Sequence, residues 1–192
     1  DDEEMEAYVA LTVQIASLLG SGEDLEDAAV DSPLGLLLRK RSAILGHAAG
    51  KLPEFARDIE RHRGDWYQLV YCAEGDRPQL DGSPELVSNQ VRDTLDLVGT
   101  QMGLSTHAYV SDTPRAERRA LLRRFQTGDD LRCLVAMRCL DEGVDIPDAR
   151  IAYILASSTN PRQFIQRRGR LLRQVPGEEK VATIYDYLAI PQ

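Results

Sequence analysis

Residues 131–137 read LRCLVAM. A short, nearly unbroken apolar run of this length describes a strand buried on both faces, the kind found inside parallel sheets. The pattern on either side repeats the message. Upstream, Thr113 caps a predicted helix whose first residue is Pro114; it runs to about Gln126 and is stopped by Gly128. Ser105–Val110 reads as a strand, and Pro84–Met102 as a helix with Val87, Val91, Leu95 and Val98 along one side. Gln68–Ala73, QLVYCA, is another strand, and Ile151–Ala156 and Val181–Tyr187 complete the series downstream. Strands alternating with helices predict an α/β fold, a parallel sheet flanked by helices on both faces. Ligands of such sheets bind at the C-terminal ends of the strands. The segments after Ala73, Val110, Met137 and Ala156 are therefore where chemistry is expected.

The first 64 residues differ in character. Residues 3–19 place Met5, Tyr8, Leu11, Ile15 and Leu18 at helical spacing, and residues 34–48 align Leu34, Leu37, Leu38, Arg41, Leu45 and Ala48. A third helical piece runs from about Pro53 to His62. We expect an acidic helical lead-in over residues 1–64 and the α/β domain over 65–192.

Charge follows the same division. Residues 1–60 carry 13 acidic and 5 basic side chains, whereas the rest of the chain carries 18 of each, all of the basic ones arginine except Lys180. The net charge of −8 argues against adhesion of the whole surface to nucleic acid, but leaves room for a local arginine groove. Cys72, Cys133 and Cys139 are odd in number and lack CxxC spacing, and His47, His62 and His107 are scattered. The expectation is reduced thiols in an intracellular, cytoplasmic protein, with no disulfide frame and no metal site. No apolar run approaches membrane-spanning length. The acidic start lacks a signal-peptide n-region and a methionine, so the chain reads as a piece of something longer.

Two stretches carry candidate chemistry. Asn160 is a good N-cap and Pro161 suits the first helical position of NPRQFIQRRGRLLR. In a helix Gln166, Gly169, Arg170 and Arg173 share one face, opposite Phe164, Ile165, Leu171 and Leu172. Glycine there costs about 1 kcal/mol, which suggests a close approach, and arginine forks suit phosphate. The plainer reading is a solvated basic face. In the second stretch, RCLDEGVDIPDAR, Gly143 can supply an unusual backbone angle and Pro147 stiffens the exit. Asp145 between them can accept hydrogen bonds from a ribose, or can simply bond its own backbone in a turn.

In order, QLVYCA, YVSDTPRAERRALLRRFQTGD, LRCLVAMRCLDEGVDIPDA and QFIQRRGRLLR resemble motifs IV, IVa, V and VI of the second RecA-like domain of superfamily 2 helicases and translocases. This fold is that of P-loop NTPases without the P-loop. The match covers roughly residues 65–190. The lead-in, with KRSAILGHAAGKLPEF, is similar to the helical segment between the motor domains in the DNA-directed branch of Rad25-type repair helicases and restriction-system translocases. The resemblance implies ATP as the nucleotide, with Mg²⁺ held by a separate N-terminal RecA-like domain. It implies arginine fingers at Arg170 and Arg173, and Gln166 ordering the attacking water or the fingers. It implies a ribose contact from Asp145 with Gly143, and a nucleotide-side position for Gly169. Ser111, Gly128, Met137 and Arg138 fall near positions that hold the nucleic-acid backbone, with DNA favoured over RNA. Many family members have threonine where Met137 stands, and methionine cannot donate that hydrogen bond, so the contact fails there or moves to Arg138 or a backbone amide.

Other signals carry less. GHAAGKL at 46–52 lacks the spacing of a P-loop and its terminal Ser or Thr, and no DExH string follows. Arg115, Arg119 and Arg123 form a helical strip that could face DNA or only solvent. Trp66 and Tyr67 could stack on bases, or pack beneath the helices. The expected function is the second motor domain of an ATP-dependent nucleic-acid helicase or translocase, inactive as an ATPase alone. The alternatives are a non-catalytic scaffold that binds a partner protein, and a small-molecule nucleotide enzyme. The last lacks a GxGxxG turn.

Overall fold

The computed structural model describes residues 1–22, 29, 31–73, 89–110, 112–137, 148–156 and 181–190. Three helices come first: α1 (Asp2–Gly20), α2 (Pro33–Gly46) and α3 (Lys51–Arg61). There follow β1 (Gln68–Tyr71), α4 (Gln90–Leu95) continuing into a π-helical turn (Asp96–Gln101), β2 (Thr106–Tyr109), α5 (Arg115–Thr127), β3 (Cys133–Ala136), β4 (Ile151–Ile154) and β5 (Thr183–Asp186). Among the described residues no helix is long and apolar enough to cross a membrane.

The five strands form one sheet in the order β2-β3-β1-β4-β5, and every pairing is parallel. All four residues of β1, β3 and β4 are buried, whereas β2 and β5 at the edges are partly open. That is why the central strands read as continuous apolar runs in the sequence.

Successive side chains alternate across the sheet. On one face Leu69, Tyr71, Leu134, Ala136, Ala152 and Ile154 pack with Leu121 and Phe125 of α5. On the other, Val70, Cys72, Cys133, Val135 and Tyr153 pack with Phe55 and Ile59 of α3 and with Val91 and Val98. The sheet is thus covered on both faces, as the alternation predicts.

The helices of the lead-in pack in two places. α1 and α2 pack on each other, with Ile15, Leu34 and Ile44 buried and Arg41 lying over the Tyr8 ring at 5.7 Å. α3 instead belongs to the sheet: Phe55 and Ile59 are fully buried against it. By packing, α3 is a layer of the α/β body.

Helix starts follow local chemistry. Ser32 caps α2, its side chain accepting from the Gly35 amide, with Pro33 following. In α5 the sequence expectation shifts by one residue: Pro114 takes the cap position with an extended ψ of 143°, and the helix begins at Arg115.

Candidate functional site at one rim of the sheet

Parallel strands in register send all their exits to one rim. Tyr71 pairs with both Ala136 and Ile154, Tyr109 with Ala136, and Ile154 with Asp186, so the five strand ends make one row. The backbone continues past that row in step: the Cys72 amide donates to Ala136 O, the Leu155 amide to Tyr71 O and the Tyr187 amide to Ile154 O.

Of the site residues that the resemblance implies, only Met137 and Gly128 lie among those described. Gln166, Arg170, Arg173, Gly169, Gly143, Asp145, Ser111 and Arg138 lie outside the described residues. What the structure does fix is where their segments begin. Residues 138–147 follow Met137 at the exit of β3, residue 111 follows Val110 at the exit of β2, and 157–180 follow Ala156 at the exit of β4.

Met137 stands on this rim. Its amide donates to Tyr109 O at 3.4 Å, and its side chain packs against the cluster that holds Val135 and Cys133. The thioether is used in packing.

Gly128 is not brought together with Met137. It ends α5 in a left-handed conformation, φ +67°, at the opposite edge of the sheet, where the strands begin. A Cβ placed there would stand 2.8 Å from the hydroxyl of Tyr67, the residue before β1. Tyr67 itself has φ +61°, a conformation that L side chains rarely adopt. Its ring packs edge-on against Phe125 at 5.9 Å and under the guanidinium of Arg150 at 5.3 Å. Trp66 similarly carries Arg132 over its ring at 4.5 Å. These aromatic rings hold the edge remote from the strand exits. Each of the two rings lies against an arginine.

The rim also contains polar residues that sequence reasoning passed over. Gln90 is buried, and its side chain accepts from the Ala73 amide at 2.6 Å while donating to Gly46 O at 3.2 Å. Cys72 lies beside it, Sγ 3.5 Å from the hydroxyl of Thr94. Lys51 is also buried, and its ammonium donates to Leu155 O at 2.6 Å. Burial lowers this ammonium to about 8, with Asp186 opposing the shift. The stretch that superficially suggests a P-loop is thus the α2–α3 junction, laid on the strand exits. A glycine and a lysine in a short polar break between helices were the signal available. Among the described residues, no group of three or more His, Cys, Asp or Glu could hold a metal ion.

Comparison with known proteins agrees with this architecture. The family model described as helicase conserved C-terminal domain matches residues 80–174. The chain is similar to the DNA 3'-5' translocase XPB2 of Sulfurisphaera tokodaii, 44% identical over 62 residues, and to a putative DNA 3'-5' helicase Rad25 of Haloarcula marismortui, 41% identical over 63. Each match covers 32% of this chain but only 14% and 10% of the relative, so the chain spans a small part of those proteins. Among solved structures, the Sulfolobus solfataricus SWI2/SNF2 ATPase core in complex with dsDNA has a TM-score of 0.62 at 14% identity, covering 96% of this chain and 38% of that one. The C-terminal part of the Fun30 ATPase domain has a TM-score of 0.54 at 17% identity, covering 73% and 41%. At such identities these two likenesses speak for the fold alone.

Proposed function

We propose that the chain carries the C-terminal RecA-like domain of a superfamily 2 helicase and is the second motor half of an ATP-dependent DNA translocase or helicase. The relatives are named for action on DNA, and the DNA-directed reading comes to this chain by that likeness. One observation carries the reading. Residues 138–147, which contain Asp145, follow the exit of β3, and residues 157–180, which contain Gln166, Arg170 and Arg173, follow the exit of β4, on a single rim where these two strands flank β1. Residues meant to meet one nucleotide from several loops need that convergence.

In the proposed roles, Arg170 and Arg173 reach the ATP γ-phosphate across a domain interface, and Gln166 on the same helical face orders the attacking water or the fingers. Gly169 leaves space for the phosphate to approach, and Asp145, freed by the Gly143 turn, binds the ribose. Ser111, Arg138 and the backbone near Met137 lie along the nucleic-acid track. Phosphoryl transfer is catalysed chiefly by positioning and charge stabilisation, and an arginine supplied in this way is worth about 10³–10⁵ in rate. Mg²⁺ belongs to the first motor domain in this scheme, and no residue of this chain is assigned to it. The chain alone then binds ATP weakly and hydrolyses it negligibly.

The test compares ATP hydrolysis by this chain and by the longer protein, each with and without DNA. Vigorous turnover by the chain alone contradicts the proposal. In the longer protein Arg170→Ala should lower turnover by at least about a hundredfold. The packed side chain of Met137 favours a second reading, a helicase-like scaffold that binds a partner protein. Undiminished turnover in Arg170→Ala would favour that one.

A further inference from the structure

We propose that the α2–α3 junction is a clamp through which the helical lead-in positions the exits of β1 and β4, with Lys51 as its positioning residue. The proposal rests on the functional reading above, because the segment leaving β4 contains Gln166, Arg170 and Arg173.

Three ties hold a junction of only six residues. Gly46 O receives the Gln90 amide, whose other end takes the Ala73 amide just past β1. The Ala49 amide donates to Glu4 on α1 at 2.9 Å. Lys51 donates to Leu155 O just past β4. Space is as restricted as bonding, since a Cβ on Gly46 would stand 3.2 Å from Cβ of Ala73. The first two helices are therefore joined to the sheet at the rim from which the functional loops depart.

Lys51 is a costly choice for this place. It is 5% exposed and is the first residue of α3, where the helix dipole disfavours a cation. An apolar chain of similar length would fill the volume without that cost. What the ammonium adds is a directed bond to one carbonyl, that of Leu155, which stands immediately before the Ala156 exit. The titratable groups around it come from several elements, and they share the wall of a cavity of about 600 Å³: Asp186 and Tyr187 at β5, Asp1, Glu4 and Tyr8 at α1, Glu54 and Asp58 on α3. Asp186 favours the charged ammonium, against the burial that disfavours it. Loss of that proton removes the charge from the bond and weakens the hold on the carbonyl, since a neutral amine is the poorer donor.

Lys51 touches neither nucleotide nor nucleic acid in this scheme. It fixes the origin of the arginine segment, and a displacement of that origin is felt at the reacting phosphate. The experiment uses the full-length protein with DNA and saturating ATP. Lys51→Met, which keeps the stem and removes the charge, should lower kcat about tenfold with KM for ATP changed by less than about twofold. Wild-type kcat should fall as pH rises through about 8, and the variant should stay flat at its lower value from roughly pH 7 to 9.5. A variant with wild-type kcat and the same alkaline fall overturns the clamp. Should Lys51→Met not fold, the wild-type profile still decides, because a flat kcat over that range also overturns it. Arg170→Ala measured in parallel separates the two ideas: full activity there removes the functional reading, whereas an inactive Arg170→Ala beside a normal Lys51→Met removes the clamp alone.

Discussion

The ring of Phe55, on α3, stands edge-on to that of Tyr153, in β4, with centroids 5.1 Å apart. Both are fully buried, and Ile59 one turn later is buried with them. The contact makes α3 a structural layer of the sheet. Phe55→Ala should cost about 3–5 kcal/mol in urea unfolding, the range for deleting a buried aromatic. A fragment beginning at residue 65 should lack a cooperative unfolding transition, and one beginning at residue 50 should regain it. A cooperative transition in the shorter fragment would show that the layer is dispensable.

Gly128→Ala should be a stability mutation and not a binding one. An L residue at φ +67° costs about 1–2 kcal/mol, and its methyl must also displace the Tyr67 hydroxyl. A total loss of about 2–3 kcal/mol is expected. DNA affinity of the full-length protein, measured below the melting transition, should be unchanged. A selective loss of affinity at full stability would restore Gly128 to the nucleic-acid track.

Lys51 gives stability a pH dependence of definite sign. Its folded value, about 8, lies below the ordinary 10.5. Below about pH 8 both states hold the proton and the cost of burying it is fully present. Between about 8 and 10.5 only the unfolded chain holds it, so stability rises with pH. The whole effect is on the order of 3 kcal/mol. Urea unfolding of wild type and Lys51→Met at pH 7 and pH 10 should show the difference moving by about that amount in favour of wild type at high pH. Stability and activity then change in opposite directions, so an alkaline loss of turnover is not unfolding.

Cys72 and Cys133 are fully buried, and burial pushes both thiols up to about 12. Thiolate, the reactive form, is scarce at neutral pH. Peptide mapping after iodoacetamide treatment should find both unmodified in the native protein and both alkylated in urea. Rapid native labelling of either would mean that the sheet opens locally.

The strands were readable because interior parallel strands must be apolar on both faces. QLVY, CLVA and IAYI all show it, and each is buried throughout. Their order was not readable: β1 pairs with β3 and β4, and nothing in a local run records a partner so far along the chain. The role of α3 was hidden for the same reason, since its apolar spacing is identical whether it covers a neighbouring helix or a sheet. Lys51 and Gln90 were invisible because buried polar groups are defined by their partners, Leu155 O for one and Ala73 and Gly46 for the other. Gly128 was read correctly as a helix stop. Its distance from Met137 was not legible, because a helix antiparallel to the strands ends at the far edge.

The central position of β1 has a consequence for synthesis. Of the five strands of this sheet it is translated first, yet its two neighbours are made much later. During that interval both of its hydrogen-bonding edges are open, a template for pairing with other chains. The helix made just before it carries Phe55 and Ile59 and can cover one side of the nascent strand at once. The same segment that tethers the rim in the finished protein thereby shelters its most vulnerable strand while the remainder is being translated.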